Sequence, residues 1–240
     1  MYCGKASPCR SVSAPMTPQK LQERKARIRK LDRALKKLFP SAQIELRFAD
    51  PWQLLVAVEL SAQCTDKMVN KISAELFKKY PKFDDYVRLS KTRKGRAQFE
   101  RMIKSSGFYH HKAKNILAAA NMIKEECAGA VPRDIQELLK IPGVARKTAT
   151  VVLSAGYGII VGITVDTHVI RFVQRYDLSD SKDPVKIEQD LVRLLPKKEW
   201  ENFAHRVIFY GRYMAPARPY DTSTDPLVKI YPPAGKRFRT

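Results

Sequence analysis

The chain has 240 residues, of which 44% are hydrophobic, enough to bury the core of one large domain or two smaller ones. Lys and Arg number 45 against 24 Asp and Glu, and the resulting charge of +21 is typical of proteins that bind nucleic-acid phosphates. The four cysteines lack metal-ligand spacing and indicate a reducing compartment, not a disulfide scaffold. Charge alone also leaves open a ribosome-associated or merely basic protein.

The N-terminal segment 1–16 has no acidic residue and is rich in Ser, Pro and other small residues. We interpret it as a disordered basic leader, although it faintly resembles an organelle transit peptide. Thr17-Pro18 then predicts the start of a helix, with proline at the first helical position. Apolar residues follow at helical spacing as far as Leu38, and the predicted helix ends near Phe39-Pro40.

Helical periodicity continues along the rest of the chain, interrupted by prolines and glycines. The predicted helices cover about 51–61, 66–80, 82–89, 96–105, 111–127, 134–140, 146–155, 166–176, 184–194 and 198–214. The uncharged run from Thr148 to Val165 is long enough to consider a membrane span, but three glycines interrupt it. It therefore predicts a buried helix followed by a glycine-rich connection. No segment alternates convincingly as a strand does, so the predicted class is all-α.

A tight turn at Pro142-Gly143 separates two of these helices, and Asp134 is placed to cap the first. A glycine turn before a helix N-terminus exposes backbone N–H groups and the positive end of the helix dipole, so this hairpin predicts a phosphate site. An ordinary hairpin packed in the core is the alternative. Lys147 follows as a candidate nucleophile, and Asp166 lies nineteen residues later. Without further context, Lys147 is a solvated lysine and Asp166 a helix cap.

Several separated motifs resemble the endonuclease III family of the helix-hairpin-helix DNA glycosylases. They are Leu54-Leu55-Val56-Ala57-Val58, Leu60-Ser61-Ala62-Gln63-Cys64-Thr65-Asp66, Gly107-Phe108-Tyr109-His110-His111-Lys112-Ala113, Ile141-Pro142-Gly143-Val144-Ala145-Arg146-Lys147-Thr148-Ala149 and Val165-Asp166-Thr167-His168. The resemblance covers about residues 22–231. It implies two helical domains with a cleft between them. One is a six-helix barrel over 44–160, with the helix-hairpin-helix at 134–155. The other is formed by 17–43 together with 161–240.

The resemblance also implies catalytic roles for two residues. Lys147 matches the family's lysine, whose amine attacks C1′ of a damaged nucleotide, displaces the base and forms a Schiff base. Asp166 matches the essential aspartate, which stabilises the sugar cation or moves protons. His168 is the companion residue expected near the DNA, although a structural hydrogen bond is an equal alternative for it.

Other residues match positions at which the family contacts DNA. Gly143, Ala145 and Arg146 belong to the phosphate-binding turn, and Arg212 lies in the Gly-Arg-Tyr motif. Gln63 and Phe108 match two loops that fill the gap left by a flipped base. A single Phe after a glycine is otherwise more often part of a core. Ala145 stands where the family usually has glycine, which costs free energy if that position needs a positive φ.

The family often carries an iron–sulfur cluster held by four cysteines after the Gly-Arg-Tyr motif. In this sequence those positions are Ala215, Thr222, Asp225 and Tyr231, and none of them is a thiolate. We therefore expect no cluster and no metal. Packing of the C-terminal segment on the body is expected to take its place.

The sequence predicts a bifunctional DNA glycosylase and abasic-site lyase that removes oxidised pyrimidines from duplex DNA. A monofunctional mismatch glycosylase and a non-catalytic helix-hairpin-helix DNA-binding protein are the alternatives. Lys147 argues against a monofunctional mismatch glycosylase. The presence of both Lys147 and Asp166 argues against a non-catalytic DNA-binding protein. The expected partner is double-stranded DNA with damaged bases or abasic sites. We expect a monomer without a membrane partner, located in the cytoplasm or nucleoid if the chain is bacterial.

Overall fold

The computed structural model describes residues 16–236, and the predicted leader at 1–16 therefore lies almost wholly outside it. Its α-helices are α1 Pro18–Leu38, α2 Pro51–Leu60, α3 Asp66–Lys79, α4 Phe83–Ser90, α5 Arg93–Ile103, α6 Tyr109–Glu126, α7 Ile135–Lys140, α8 Arg146–Tyr157, α9 Thr167–Arg175, α10 Pro184–Leu194, α11 Trp200–Tyr213, α12 Pro226–Ile230 and α13 Pro233–Lys236. Two 3₁₀ turns cover Lys104–Ser106 and Lys197–Glu199. The described residues contain no strand, which confirms the all-α class.

Side-chain caps fix where many of these helices begin. Thr17, Asp50, Asp134 and Asp183 each accept a hydrogen bond from a backbone N–H in the first turn of the helix that follows. Thr92 caps α5, so this helix begins at Arg93, three residues before the predicted start at 96. The sequence did not predict α12 and α13, because helices of five and four residues are too short to show a periodicity.

The first core is formed by α2 to α8. The helix α2 is buried on nearly all sides, with Leu54, Leu55, Val56 and Ala57 at most 2% exposed, so it lies at the centre of this unit. Between residues 44 and 160 the structure has seven α-helices, where the resemblance implied a barrel of six. The added burial of Trp52, Tyr86 and Phe99 makes the core strongly aromatic.

The second core joins the two ends of the described chain. Ile28, Leu31 and Leu35 of α1 pack with apolar side chains from α9 to α13, such as Phe172 and Phe203. The chain thus leaves the second core after α1, builds the first core, and returns through the connection between α8 and α9. None of the helices between residues 16 and 236 is both long and apolar enough to cross a bilayer.

A buried arginine fixes α1 in the second core. The Arg24 side chain is 1% exposed and pairs with Asp177 at 3.0 Å and Asp180 at 2.9 Å, just after α9. Burial alone would raise the pKa of Asp177, but hydrogen bonds from Arg27 and Arg24 outweigh it and hold that pKa below its usual value. Hydrogen bonds from Arg24 and Lys20 likewise lower the pKa of Asp180.

Replacing this arginine by an apolar side chain of similar length destabilises the protein. We expect Arg24→Met to lower the free energy of unfolding by about 2–3 kcal/mol, because it removes buried charge-assisted hydrogen bonds. The control Lys20→Met removes an ion pair to Asp180 from a lysine that is 41% exposed, and should cost at most about 0.5 kcal/mol. Urea denaturation measures both changes, and equal losses in the two variants would contradict the role given to Arg24.

The same contacts predict a dependence on pH. The lowered pKa values of Asp177 and Asp180 contribute stability above the unfolded-state pKa of about 4, and this contribution is lost as the pH falls through the lower folded-state values. The stability difference between wild type and Arg24→Met should therefore shrink below about pH 4.

Candidate active site

The turn between α7 and α8 lies at Pro142-Gly143, where the sequence predicted it. Gly143 has φ of +83°, and a Cβ there would lie 2.9 Å from the Asn115 side chain. Both the left-handed backbone and the close neighbour therefore require glycine at this position. Asp134 caps α7 by accepting from the N–H groups of Gln136 and Glu137, at 2.8 and 3.1 Å.

Ala145 is the N-cap of α8 and has φ of −87° and ψ of 169°. This is an extended conformation that alanine adopts without strain, so the departure from glycine has no backbone cost here. Its side chain cannot cap the helix, and the N–H groups of Arg146, Lys147 and Thr148 lack intrahelical acceptors. Those groups and the positive end of the helix dipole are therefore available to an anion at the start of α8.

Lys147 and Asp166 both line one cleft of about 150 Å³ between the two cores. The first core supplies other lining residues such as Val58 and Val151, and α11 of the second core supplies Ala204 and Ile208. The Lys147 side chain is exposed, and within residues 16–236 its amine has no hydrogen-bond or ion-pair partner. The cleft thus holds an amine that is not committed to another group of the protein.

The two carboxylate oxygens of Asp166 differ in their hydrogen bonding. Oδ1 accepts from the N–H groups of His168 and Val169, both at 2.9 Å, and so caps α9. Oδ2 has no hydrogen-bond partner among the described residues. The capping role that the sequence suggested for Asp166 is therefore real, and it leaves one oxygen available for chemistry.

The Arg146 side chain, which the resemblance assigns to the phosphate-binding turn, pairs with the second core. Its guanidinium donates two hydrogen bonds to Glu188 of α10, at 2.5 and 3.0 Å. The Glu188 side chain is 8% exposed, and its carboxylate lies against Gly162, where a Cβ would overlap it. This pair joins the first turn of α8 to the second core, around the connection that leads to Asp166.

His168 lies beside the cleft with its ring packed on Gly211, where a Cβ would collide with Nδ1. Arg171 donates to Nδ1 at 3.2 Å, which places the proton of the neutral ring on Nε2. Burial lowers the pKa of His168; Asp166 opposes the shift, and nearby cations including Lys147 add to it. The imidazole is therefore neutral at physiological pH.

Gln63 and Phe108 both line one surface depression of about 770 Å³, which the hairpin residues Gly143 and Ala145 also line. Gln63 has φ of +54° and Phe108 has φ of +49°, both left-handed. Phe108 is 68% exposed, so it is not a core residue. A large aromatic side chain that is held outward by its backbone is a feature of a binding surface.

The buried Lys112 ties these two loops together. Its side chain is 3% exposed, and its Nζ donates to Leu60 O and Ser106 O, both at 2.8 Å. Burial lowers the pKa of Lys112, although the Cys64 thiol and Glu59 oppose the shift. The two carbonyls belong to the segments that precede Gln63 and Phe108, so one ammonium fixes the distance between both loops.

Sequence reasoning missed one side of the cleft. Glu201, His205 and Ile208 were not predicted; they lie on the face of α11 that also carries Arg212, and all line the cleft. Polar residues repeating at helical spacing in a helix with an apolar opposite face were the available signal. Burial lowers the pKa of His205, so it too is neutral at physiological pH.

Arg212, which the sequence assigned to DNA contact, forms an interdomain bridge in this structure. It pairs with Glu45 and, at 2.7 Å, with Asp66 at the start of α3. The bridge lies where the cleft meets an open depression lined by Arg47, Lys67 and Lys71, among others.

Comparisons with known proteins agree with this geometry. The chain matches the family described as HhH-GPD superfamily base excision DNA repair protein over residues 56–197. It is 46% identical to the endonuclease III of Synechocystis sp., over 83% of this chain and 89% of that relative. Two solved structures are each 40% identical, with a TM-score of 0.82, and cover 90% of this chain and 99% of their own. They are a non-covalent endonuclease III–DNA complex and a trapped endonuclease III–DNA covalent intermediate.

The fold, the hairpin and the cleft thus agree with the resemblance seen in the sequence. The chain belongs to the HhH-GPD superfamily of base excision DNA repair proteins, as an endonuclease III-like DNA glycosylase.

Proposed function

We propose that this protein is a bifunctional glycosylase and abasic-site lyase, in which Lys147 is the nucleophile and Asp166 its catalytic partner. The observation that carries the proposal is the position of an uncommitted amine and a half-free carboxylate in one cleft. A relative 40% identical was solved as a trapped covalent intermediate with DNA, which supports covalent chemistry. Oxidised pyrimidines in duplex DNA are the proposed substrates.

The reaction begins with attack of the neutral Lys147 amine on C1′ of the damaged nucleotide. The bond from C1′ to the base breaks, and the base leaves with the bonding electrons and takes up a proton. Loss of a proton from the attacking nitrogen and opening of the sugar ring give the Schiff base. Removal of a proton from C2′ then expels the 3′ phosphate oxygen and cuts the strand.

Asp166 supports this sequence through its uncommitted oxygen. Oδ2 stabilises the positive charge that develops on the sugar and accepts protons directly or through water, while Oδ1 holds the residue in place on α9. The hydrogen bonds that Oδ1 accepts at the start of α9 keep the Asp166 carboxylate in one orientation, in which Oδ2 faces the sugar.

The surface outside the cleft holds the DNA in register. The N–H groups at the start of α8 bind a backbone phosphate, and this contact does not depend on sequence. Phe108 wedges between bases while Gln63 bonds the partner base that flipping leaves unpaired, which together offset the few kcal/mol that unstacking costs.

Borohydride reduction during incubation with a thymine-glycol or abasic duplex tests the catalytic assignment. Wild type should form a stable covalent adduct, and Lys147→Ala should form none and lose activity on the order of 10³-fold. Asp166→Asn keeps an oxygen that can cap α9 but removes the charge, so it should fold normally and lose about 10²- to 10⁴-fold in rate.

The control for this experiment is Lys140→Ala, which removes an exposed lysine on the first helix of the same hairpin. It should trap and cleave as wild type does. Base release without an adduct in wild type would favour a monofunctional mismatch enzyme. Binding without either would leave only a DNA-binding protein.

Lys112 is proposed to position the two inserting residues. Lys112→Met leaves Leu60 O and Ser106 O without their donor, so we expect kcat/KM to fall about 10-fold because the reacting groups are less well placed. A fluorescent base analogue beside the lesion should report less unstacking in this variant. Lys114→Met, which changes an exposed lysine on the same helix, should match wild type. Normal unstacking in Lys112→Met would contradict the assignment.

The ion pair between Arg146 and Glu188 is proposed to set the position of Lys147. Glu188→Gln removes one charge of the pair while keeping its shape, and we expect about a 10-fold or larger fall in single-turnover rate. The adduct should still form, because the nucleophile is intact. Glu137→Gln changes an exposed carboxylate paired only within its own helix and is the control. Equal rates in the two variants would show that the pair does not position the amine.

A further inference from the structure

The resemblance places the ligand positions of an iron–sulfur cluster in the C-terminal segment after α11, and the residues at those positions do not fit one. Ala215 is 2% exposed and packs in the second core. Thr222 and Tyr231 offer no thiolate, and Asp225 has both carboxylate oxygens engaged in hydrogen bonds. Cys64 and Cys127, the free cysteines within residues 16–236, belong to the first core.

Asp225 is the centre of a buried hydrogen-bond network. Its side chain is 3% exposed, and Oδ2 accepts from the hydroxyls of Tyr210 and Tyr220, each at 2.5 Å. Oδ1 caps α12 by accepting from Leu227 N at 2.9 Å and from Val228 N at 3.4 Å. One carboxylate therefore satisfies four donors and starts the helix that follows.

In each hydrogen bond of this network, the donor hydroxyl can be assigned. Because Tyr210 donates to Asp225, the hydroxyl of Tyr176 must donate to Tyr210, with 2.8 Å between the two oxygens. Burial raises the pKa of Tyr210, and the neighbouring Tyr176 and Asp225 add to the shift. Burial and the bond to Asp225 raise the pKa of Tyr220 to about 12. All three hydroxyls thus stay protonated as donors at physiological pH.

Other contacts connect the network to the body of the protein. Arg175 at the end of α9 donates to the Tyr220 hydroxyl at 3.2 Å, and its guanidinium lies 5.5 Å from the centroid of the Tyr220 ring. The Arg27 guanidinium of α1 lies 4.2 Å from the centroid of the Tyr231 ring, and that ring contacts Tyr176. Residues at two of the positions that the resemblance matches to cluster ligands, 225 and 231, therefore hold the segment against α1, α9 and α11.

We infer that a tyrosine–carboxylate centre, formed by Asp225 with Tyr176, Tyr210 and Tyr220, organises the C-terminal segment in place of an iron–sulfur cluster. The inference goes beyond the proposed function and does not depend on which residue performs the chemistry. Since a carboxylate and three phenols require no metal, the segment folds independently of iron supply. Agents that remove or oxidise a cluster should not change its fold.

The first test is metal content. The full chain, expressed with iron and sulfide supplementation and purified without oxygen, should contain substoichiometric iron and no acid-labile sulfide. Its Tm and its affinity for an abasic duplex should be unchanged after treatment with a chelator. Near-stoichiometric iron with sulfide, or a fall in Tm on chelation, would overturn the inference.

The second test is the network itself. Asp225→Ala leaves two buried hydroxyls and two N–H groups without an acceptor, so Tm should fall on the order of 10 °C. Hydrogen exchange should show lost protection at the N–H groups of Leu227 and Val228. If Asp225→Ala does not fold, Tyr220→Phe removes a single hydroxyl and should lower Tm by a few °C.

The matched control is Asp221→Asn. Asp221 is an exposed carboxylate in the same segment, and within the described residues it bonds only Ser223. This variant should keep the Tm and the exchange protection of wild type. If Asp225→Ala and Tyr220→Phe also behaved like wild type in both measurements, the network would not be what organises the segment.

Discussion

The ion pair between Arg146 and Glu188 is the contact on which the geometry of the cleft depends. It links the first residue of α8, which belongs to the first core, to α10 of the second core. The glycine-rich connection passes beneath it, and Gly162 has no side chain because the Glu188 carboxylate occupies that space. Lys147 follows Arg146 in the first turn of α8, and Asp166 lies at the end of the connection. Their relative position is therefore set by a buried carboxylate as well as by the two helices that carry them.

Charge at this site is divided between structural and chemical uses. Glu188 neutralises Arg146, and Glu45 and Asp66 neutralise Arg212. One carboxylate oxygen of Asp166 is occupied by the backbone N–H groups that it caps. Among the described residues, the groups left uncommitted at this site include the Lys147 amine, one oxygen of Asp166 and the N–H groups at the start of α8. These are the groups that a flipped nucleotide and its phosphate would meet. A protein with a net charge of +21 has thus paired the cations that hold its domains together and left others available for DNA.

The sequence predicted the helical class and nearly all helix positions, because periodicity and caps are local signals. The cap at Asp166 and the turn at Pro142-Gly143 followed from local rules in the same way. The fold family was predicted from the resemblance of several separated motifs. The partners of Arg146 and Arg212 could not be predicted, because Glu188 and Glu45 are far away in sequence and nothing local marks them. From the sequence, Asp225 was identified only as a residue that stands where the family has a cysteine ligand. Its role in the network depends on tyrosines from three separate segments.

The central claim is that the amine at the start of α8 is the group that becomes covalently attached to DNA. Peptide mapping of the borohydride-reduced adduct by mass spectrometry tests it most directly, because it locates the attachment without any substitution. The modified residue should be Lys147, in a peptide that trypsin no longer cleaves at that position. Attachment at another lysine or at the N-terminal amine would contradict the account.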